Sequence, residues 1–318
     1  MTKSYSEFDL LVKLYTINSK SGDESHILSF ISSYLKSRGI LYSTDRKGQI
    51  FTHHKDYDPD KPLLVAHTDQ VQCTSPSKAS DFLIEGNIIS APGFGLGADD
   101  KNGVWIILTL LSHSRSSGSS GVPFNFLFST GEEIASFNAE EALKEMIRRG
   151  KGKTPSFALV LDRRGSGDII GWKNKYCSKE FEKAVYEFSS EKGYGFKPVR
   201  GVFSDADCLS FYLNCVNLSV GYENAHTSDE RTDLRALRHS RKFVWDLVSN
   251  AHRFQGFPKP IESTVAVEFT ESELAVLAKI LFEKERVLMT TVFDGKDSNV
   301  VEISSILDKV YDKLYKKM

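Results

Sequence analysis

The chain has 318 residues, 41 Lys+Arg against 42 Asp+Glu, a net charge of −1 and 40% hydrophobic residues. That balance excludes a nucleic-acid protein working by bulk charge and an acidic disordered chain. The length buries a core without disulfides, and at about 150 residues per domain it allows two domains or one large one. Four cysteines (Cys73, Cys177, Cys208, Cys215) form no C-x-x-C and read as reduced, buried thiols. No run approaches the ~20 apolar residues of a membrane span, and the opening is not a signal peptide. A cytoplasmic location is expected, with neither membrane nor nucleic acid as partner.

Apolar spacing predicts helices over 5–18 and 24–38, the second closed by Gly39. Short strands follow at Ile40–Thr44, Ile50–His54 and Pro62–Ala66, then a hairpin over Phe82–Ser90 turning at Glu85-Gly86-Asn87. A Gly-rich loop, Pro92–Gly97, leads into an apolar helix ending near Ser112, and Arg115–Gly121 reads as a solvated loop. Strands Phe124–Ser129, Phe157–Leu161 and Asn217–Val220 then alternate with helices Ala139–Arg149 and Lys179–Ser190, before a long helix over Leu234–Phe254. Such alternation predicts an α/β fold, a mostly parallel central sheet with helices on both faces. Beyond 258 two amphipathic helices, Glu271–Glu285 and Val300–Lys317, are expected to form a C-terminal helical appendage (259–318) to a catalytic domain (1–258).

Five groups with metal-binding chemistry fall where strands end, the place where open α/β sheets bind ligands. They are His67 with Asp69, Asp99 with Asp100, Glu132 with Glu133, Asp162, and His226 with Glu230. Each alone has an ordinary role: a satisfied strand-end histidine, a helix N-cap, a solvated helix start, a turn former. All five at one edge point instead to a pocket. Histidine nitrogen and carboxylate oxygen suit zinc, with cobalt or manganese as alternatives. Two such ions ~3.5–4 Å apart need a bridging group, and Asp99 is the candidate. His67 and Asp162 would hold one ion, Glu133 and His226 the other. Two dications against three carboxylates and a bridging hydroxide leave the assembly neutral, as a partly buried site requires. Asp69 is placed to fix the His67 tautomer, and Glu132 to act as general base toward a leaving amine. Glu230 and Asp100 are candidates for supporting contacts.

These motifs, with the opening segment Ser19–Glu24, resemble the dinuclear zinc exopeptidase clan over roughly residues 5–255. That clan includes peptidase T, glutamate carboxypeptidase and the small single-domain bacterial leucyl aminopeptidases. The resemblance implies the same roles for His67, Asp99, Glu132, Glu133, Asp162 and His226, and a cis peptide after Asp99. Only 64 residues separate Asp162 from His226, and 32 separate His67 from Asp99, so the layout is closest to the lid-less aminopeptidases. Ser204 and Asp205 resemble a segment that shapes the specificity pocket, though an N-cap is an equal reading. Arg163 and Arg164 lie outside the resemblance; they could bind a substrate carboxylate or form a surface ion pair.

The expected function is a two-metal aminopeptidase acting on short peptides or amino-acid amides. A carboxypeptidase or dipeptidase, or an N-acyl amino acid deacylase, would use the same site. An inactive scaffold binding a partner through its C-terminal helices is the rival from another class. Those helices could also make the chain a homo-oligomer.

Overall fold

The computed structural model describes residues 5–116, 121–134, 138–150 and 152–259. The expected appendage and its two helices lie outside the described residues, as does most of the Arg115–Gly121 loop.

Helices α1 (Glu7–Tyr15) and α2 (Ser25–Ser37) open the chain, and the Ser6 hydroxyl caps α1 by accepting from Asp9 N–H. Strands β1 (Tyr42–Thr44), β2 (Ile50–Thr52) and β3 (Leu63–His67) follow, then the hairpin β4 (Leu83–Glu85) and β5 (Ile88–Ser90). The next elements are α3 (Ala98–Ser116), β6 (Asn125–Ser129), α4 (Asn138–Arg149), β7 (Ala158–Arg163) and β8 (Asp168–Ile170). After them run α5 (Lys179–Glu191), β9 (Lys197–Val199), α6 (Asp205–Leu209), β10 (Cys215–Ser219), β11 (Tyr222–Glu223), β12 (Arg231–Asp233) and α7 (Leu234–Ser249). The long terminal helix breaks at Asn250, and a 3-10 turn covers Ala251–Phe254.

Eight strands form the main sheet in the order β1-β2-β6-β3-β7-β10-β8-β9. Its centre is parallel: β3 lies between β6 and β7, and β7 also pairs with β10. The margins are antiparallel at β1/β2, β2/β6 and β10/β8. Strand alternation sends Leu64, Ala66, Phe126 and Phe128 into a core with α1, α2, α3, α5 and α7, and Leu63, Val65 and Leu127 into one with α4 and α6. Helices therefore cover both faces. The hairpin strand β5 pairs with β12 in a second, antiparallel sheet, β11-β12-β5-β4.

Register brings the site together. His67 pairs with Ser129, and Val65 with Val160, so His67, Thr130 and Asp162 emerge side by side at the carboxyl edge. The start of α3 lies against the same edge, because a Cβ on Gly103 would stand 2.3 Å from the Leu161 carbonyl. Only glycine permits that approach.

Candidate metal centre

Ahead of α3, Gly97 takes a left-handed backbone (φ +65) and the Asp99–Asp100 peptide is cis, as the resemblance implies. The turn aims Asp99 across the sheet edge. Its Oδ1 lies 3.1 Å from His67 Nε2, and its Oδ2 3.3 Å from His226 Nε2. His67 Nε2 also lies 3.7 Å from Asp162 Oδ1, while His226 Nε2 lies 2.8 Å from Glu133 Oε1. One carboxylate thus faces two pairs: His67 with Asp162, and His226 with Glu133. The halves differ in exposure, the side chains of His67 and His226 being 1% and 46% exposed.

The His67 ring is oriented through Nδ1, which donates to the Asp69 carbonyl at 3.1 Å; the Asp69 carboxylate is 3.4 Å away. That carboxylate accepts from the N–H groups of Glu132 (3.0 Å) and Glu133 (3.1 Å) and from the Ser21 hydroxyl (2.7 Å). Asp69 therefore ties the His67 strand to the turn that presents both glutamates. Glu132 itself is buried, 7% exposed.

Charge is concentrated here. Burial lifts Glu132 to about 9, and the charges of Asp162, Asp205 and Glu133 add to this against the pull of His67. Burial lifts Asp162 to about 8, with Asp99 adding to it. For Asp99 burial opposes ionisation, yet bonds to both imidazoles outweigh it and hold the carboxyl well below its usual range. Bonds to Asp99 and Glu133 raise His226 to about 10. Asp100 is fully buried, which holds its carboxyl well above the usual range. Its Oδ1 accepts from Gly103 N–H at 3.0 Å, the pattern of an N-cap, while its Oδ2 has no partner.

Among the described residues two donor sets converge to within 4.8 Å, His67–Asp99–Glu133 and His67–Asp100–Asp162. Carboxyls forced toward neutrality, an orphaned buried oxygen, and imidazole with carboxylate donors all fit divalent cations of the zinc, cobalt or manganese class.

Flanking residues fall into place differently. Ser204 is the N-cap of α6, accepting from Ala206 N–H, while Asp205 turns inward, buried, and accepts from the Ser129 hydroxyl at 2.5 Å. Burial raises Asp205 to about 6. Arg163 is paired with Asp168 at 3.0 Å in a part-buried contact, and Arg164 is exposed. The structure adds residues that sequence reasoning did not single out. The buried Tyr222 donates its hydroxyl to Asp162 Oδ1 at 3.2 Å. Lys101, 1% exposed, donates to the Ile17 carbonyl (2.6 Å) and to Gln70 (2.5 Å), and burial lowers it to about 7. Tyr222 sits between Gly221 and the His226 loop, and Lys101 directly follows the Asp-Asp pair; proximity to the motifs was their only signal.

The fold is α/β, a mostly parallel central sheet with the donor cluster at its carboxyl edge. The chain is similar to aminopeptidase PepT from Bacillus cereus at 15% identity and TM-score 0.61, covering 76% of this chain and 98% of that one. A tripeptidase from Staphylococcus aureus matches at 16% identity and TM-score 0.62, with 76% and 96% covered. The Pyrococcus horikoshii TET1 peptidase, which can assemble into a tetrahedron or a large octahedral shell, matches at 16% identity and TM-score 0.61, with 76% and 99% covered. At these identities the likeness is one of fold. No known family's sequence profile and no curated protein matches the chain. Among the described residues no helix is long and apolar enough to cross a membrane.

Proposed function

We propose that this chain is a metal-dependent exopeptidase, an aminopeptidase acting on short peptides, with amino-acid amides as minimal substrates. The observation that carries the reading is Asp99, whose two oxygens lie 3.1 Å and 3.3 Å from imidazoles on opposite sides. One carboxylate shared by two donor pairs is what two neighbouring divalent ions require. His67, Asp162 and Asp99 would hold one ion, and Asp99, Glu133 and His226 the other, zinc being proposed with cobalt or manganese as alternatives. Bound ions supply a water of lowered pKa and a polarised carbonyl.

The chain's own residues do the rest. Glu132 takes a proton from water and passes it to the leaving amine; it is buried and stands next in the chain to the donor Glu133. Asp69 fixes His67 and holds the N–H groups of the Glu132–Glu133 turn. Tyr222 orients Asp162. Asp205 supplies a buried anion beside the site, suited to a substrate ammonium. Arg163, the cation that follows Asp162 in the chain, is engaged by Asp168 through its Nε at 3.0 Å. The named aminopeptidase and tripeptidase among the structural neighbours support the same reading. Self-association is proposed by analogy with the TET1 peptidase.

The test is hydrolysis of a tripeptide with a free or an acetylated amino terminus, beside metal analysis of the purified protein. The expected result is about two divalent ions per chain, cleavage of the free peptide only, and loss of activity on chelation. Protein without divalent ions, or equal cleavage of both peptides, would overturn the proposal.

A further inference from the structure

Glu230 is 1% exposed, a costly place for a carboxylate unless it is hydrogen-bonded. Both its oxygens are used. Oε2 accepts from Gly97 N–H at 2.7 Å, and Oε1 from Asp99 N–H at 3.0 Å. The Gln72 amide adds a longer contact, 3.4 Å to Oε2. Those two backbone donors stand in the turn before the cis peptide, where no strand ladder or helix serves them.

Glu230 also closes the segment that carries His226. The loop leaves β11 after Glu223, passes His226 in a left-handed conformation (φ 66), and enters β12 at Arg231. Within the loop, Thr227 donates to the Asn224 carbonyl at 2.7 Å, and Asn224 to that of Asp229 at 3.3 Å. Two ties therefore reach from this loop to the Asp99 segment, the His226 imidazole and the Glu230 carboxylate. The first is a donor to the proposed ions.

We propose that Glu230 is a positioning residue for the metal centre: it locks the His226 loop to the backbone of Asp99 and so sets the spacing of the more exposed donor set. This rests on the proposed function, since it concerns the ions that His226 and Asp99 would share. Two variants separate position from charge. E230Q keeps the length but turns an amide group toward one N–H. E230D keeps the charge and shortens the reach by a methylene.

The probe is Co²⁺, titrated into chelator-treated protein and followed by calorimetry and by its visible absorption. Both variants are expected to bind one of two Co²⁺ equivalents about 10–100-fold more weakly than wild type, with an altered absorption band at saturation. Excess Co²⁺ is expected to restore kcat while KM for the peptide stays unchanged. If E230D binds as wild type does, charge rather than position is responsible, and the proposal fails. Loss of folding in both variants also overturns it, because the role would then be structural. Wild-type protein that takes up no Co²⁺ overturns the proposed function and this inference together; wild type that binds with variants that bind equally overturns the inference alone.

Discussion

At the scale of single residues, the two adjacent glutamates are placed for different parts in the proposed reaction. Glu132 differs from Glu133 in its partners: Glu133 reaches His226 at 2.8 Å, while Glu132 is buried among Asp162, Asp205 and His67. E132Q keeps the shape and removes the base. It is expected to lower kcat by about 10²–10⁴-fold with the content of divalent ions unchanged; a variant retaining wild-type kcat would remove Glu132 from its role. The metal-binding candidates were legible because each sits in a short motif at a strand end, where residue type and position both speak. Tyr222 was not legible. Its hydroxyl reaches Asp162 across sixty residues of chain, and nothing in a tyrosine's immediate neighbours encodes such a bond. Glu230 could be flagged as acidic and nearby, but its partners at Gly97 and Asp99 depend on the second sheet.

At the scale of elements, the parallel centre was legible from apolar strands alternating with amphipathic helices, and the hairpin from its Gly-Asn turn. The margins were harder. Strands β8, β9, β11 and β12 have only two or three residues each, too short for a period-two pattern to register. The pairing of β5 with β12 joins segments over 140 residues apart, and that pairing is what brings Glu230 beside Gly97. Ser204 shows a local signal with two readings, of which the N-cap is the one seen: it caps α6, and the buried Asp205 beside it accepts from the Ser129 hydroxyl. The contact of α3 with β7 can be tested directly. Gly103→Ala would place a methyl 2.3 Å from the Leu161 carbonyl and about as close to the Asp100 carboxylate. Because backbone must shift to admit it, a loss of about 1–3 kcal/mol is expected, read from the midpoint of urea unfolding. An unchanged midpoint would show that α3 can slide on the sheet.

For the whole molecule, the buried charges make stability depend on pH when divalent ions are removed. His226 titrates at about 10 in the fold against an ordinary 6.5, Glu132 at about 9 against 4.5, and Asp162 at about 8 against 3.8. Each keeps a proton that the unfolded chain has released, so the folded state binds more protons and stability falls as pH rises. Lys101, about 7 against 10.5, acts in the opposite sense and offsets His226 once Asp162 and Glu132 have titrated. Thermal unfolding of chelator-treated protein should therefore show Tm dropping from about pH 6.5 to 9; a flat or rising profile over that range would contradict the charge assignment. Bound ions replace those protons, so the gap in Tm between loaded and ion-free protein is expected to widen with pH. The parallel order β6-β3-β7-β10 has a further consequence, which concerns assembly in time. Parallel neighbours cannot form by local hairpins; each waits for a crossover, and such non-local pairings fold slowly. During synthesis, a chain that has emerged only through β7 holds His67, Asp99, Glu133 and Asp162 without His226, Tyr222 or Glu230. Four donors then stand beside a sheet edge still missing its next strand. The donor set proposed for two ions is therefore complete only once the His226 loop has been made, and a chain ending before β11 would hold four of the five donors without His226 or Glu230.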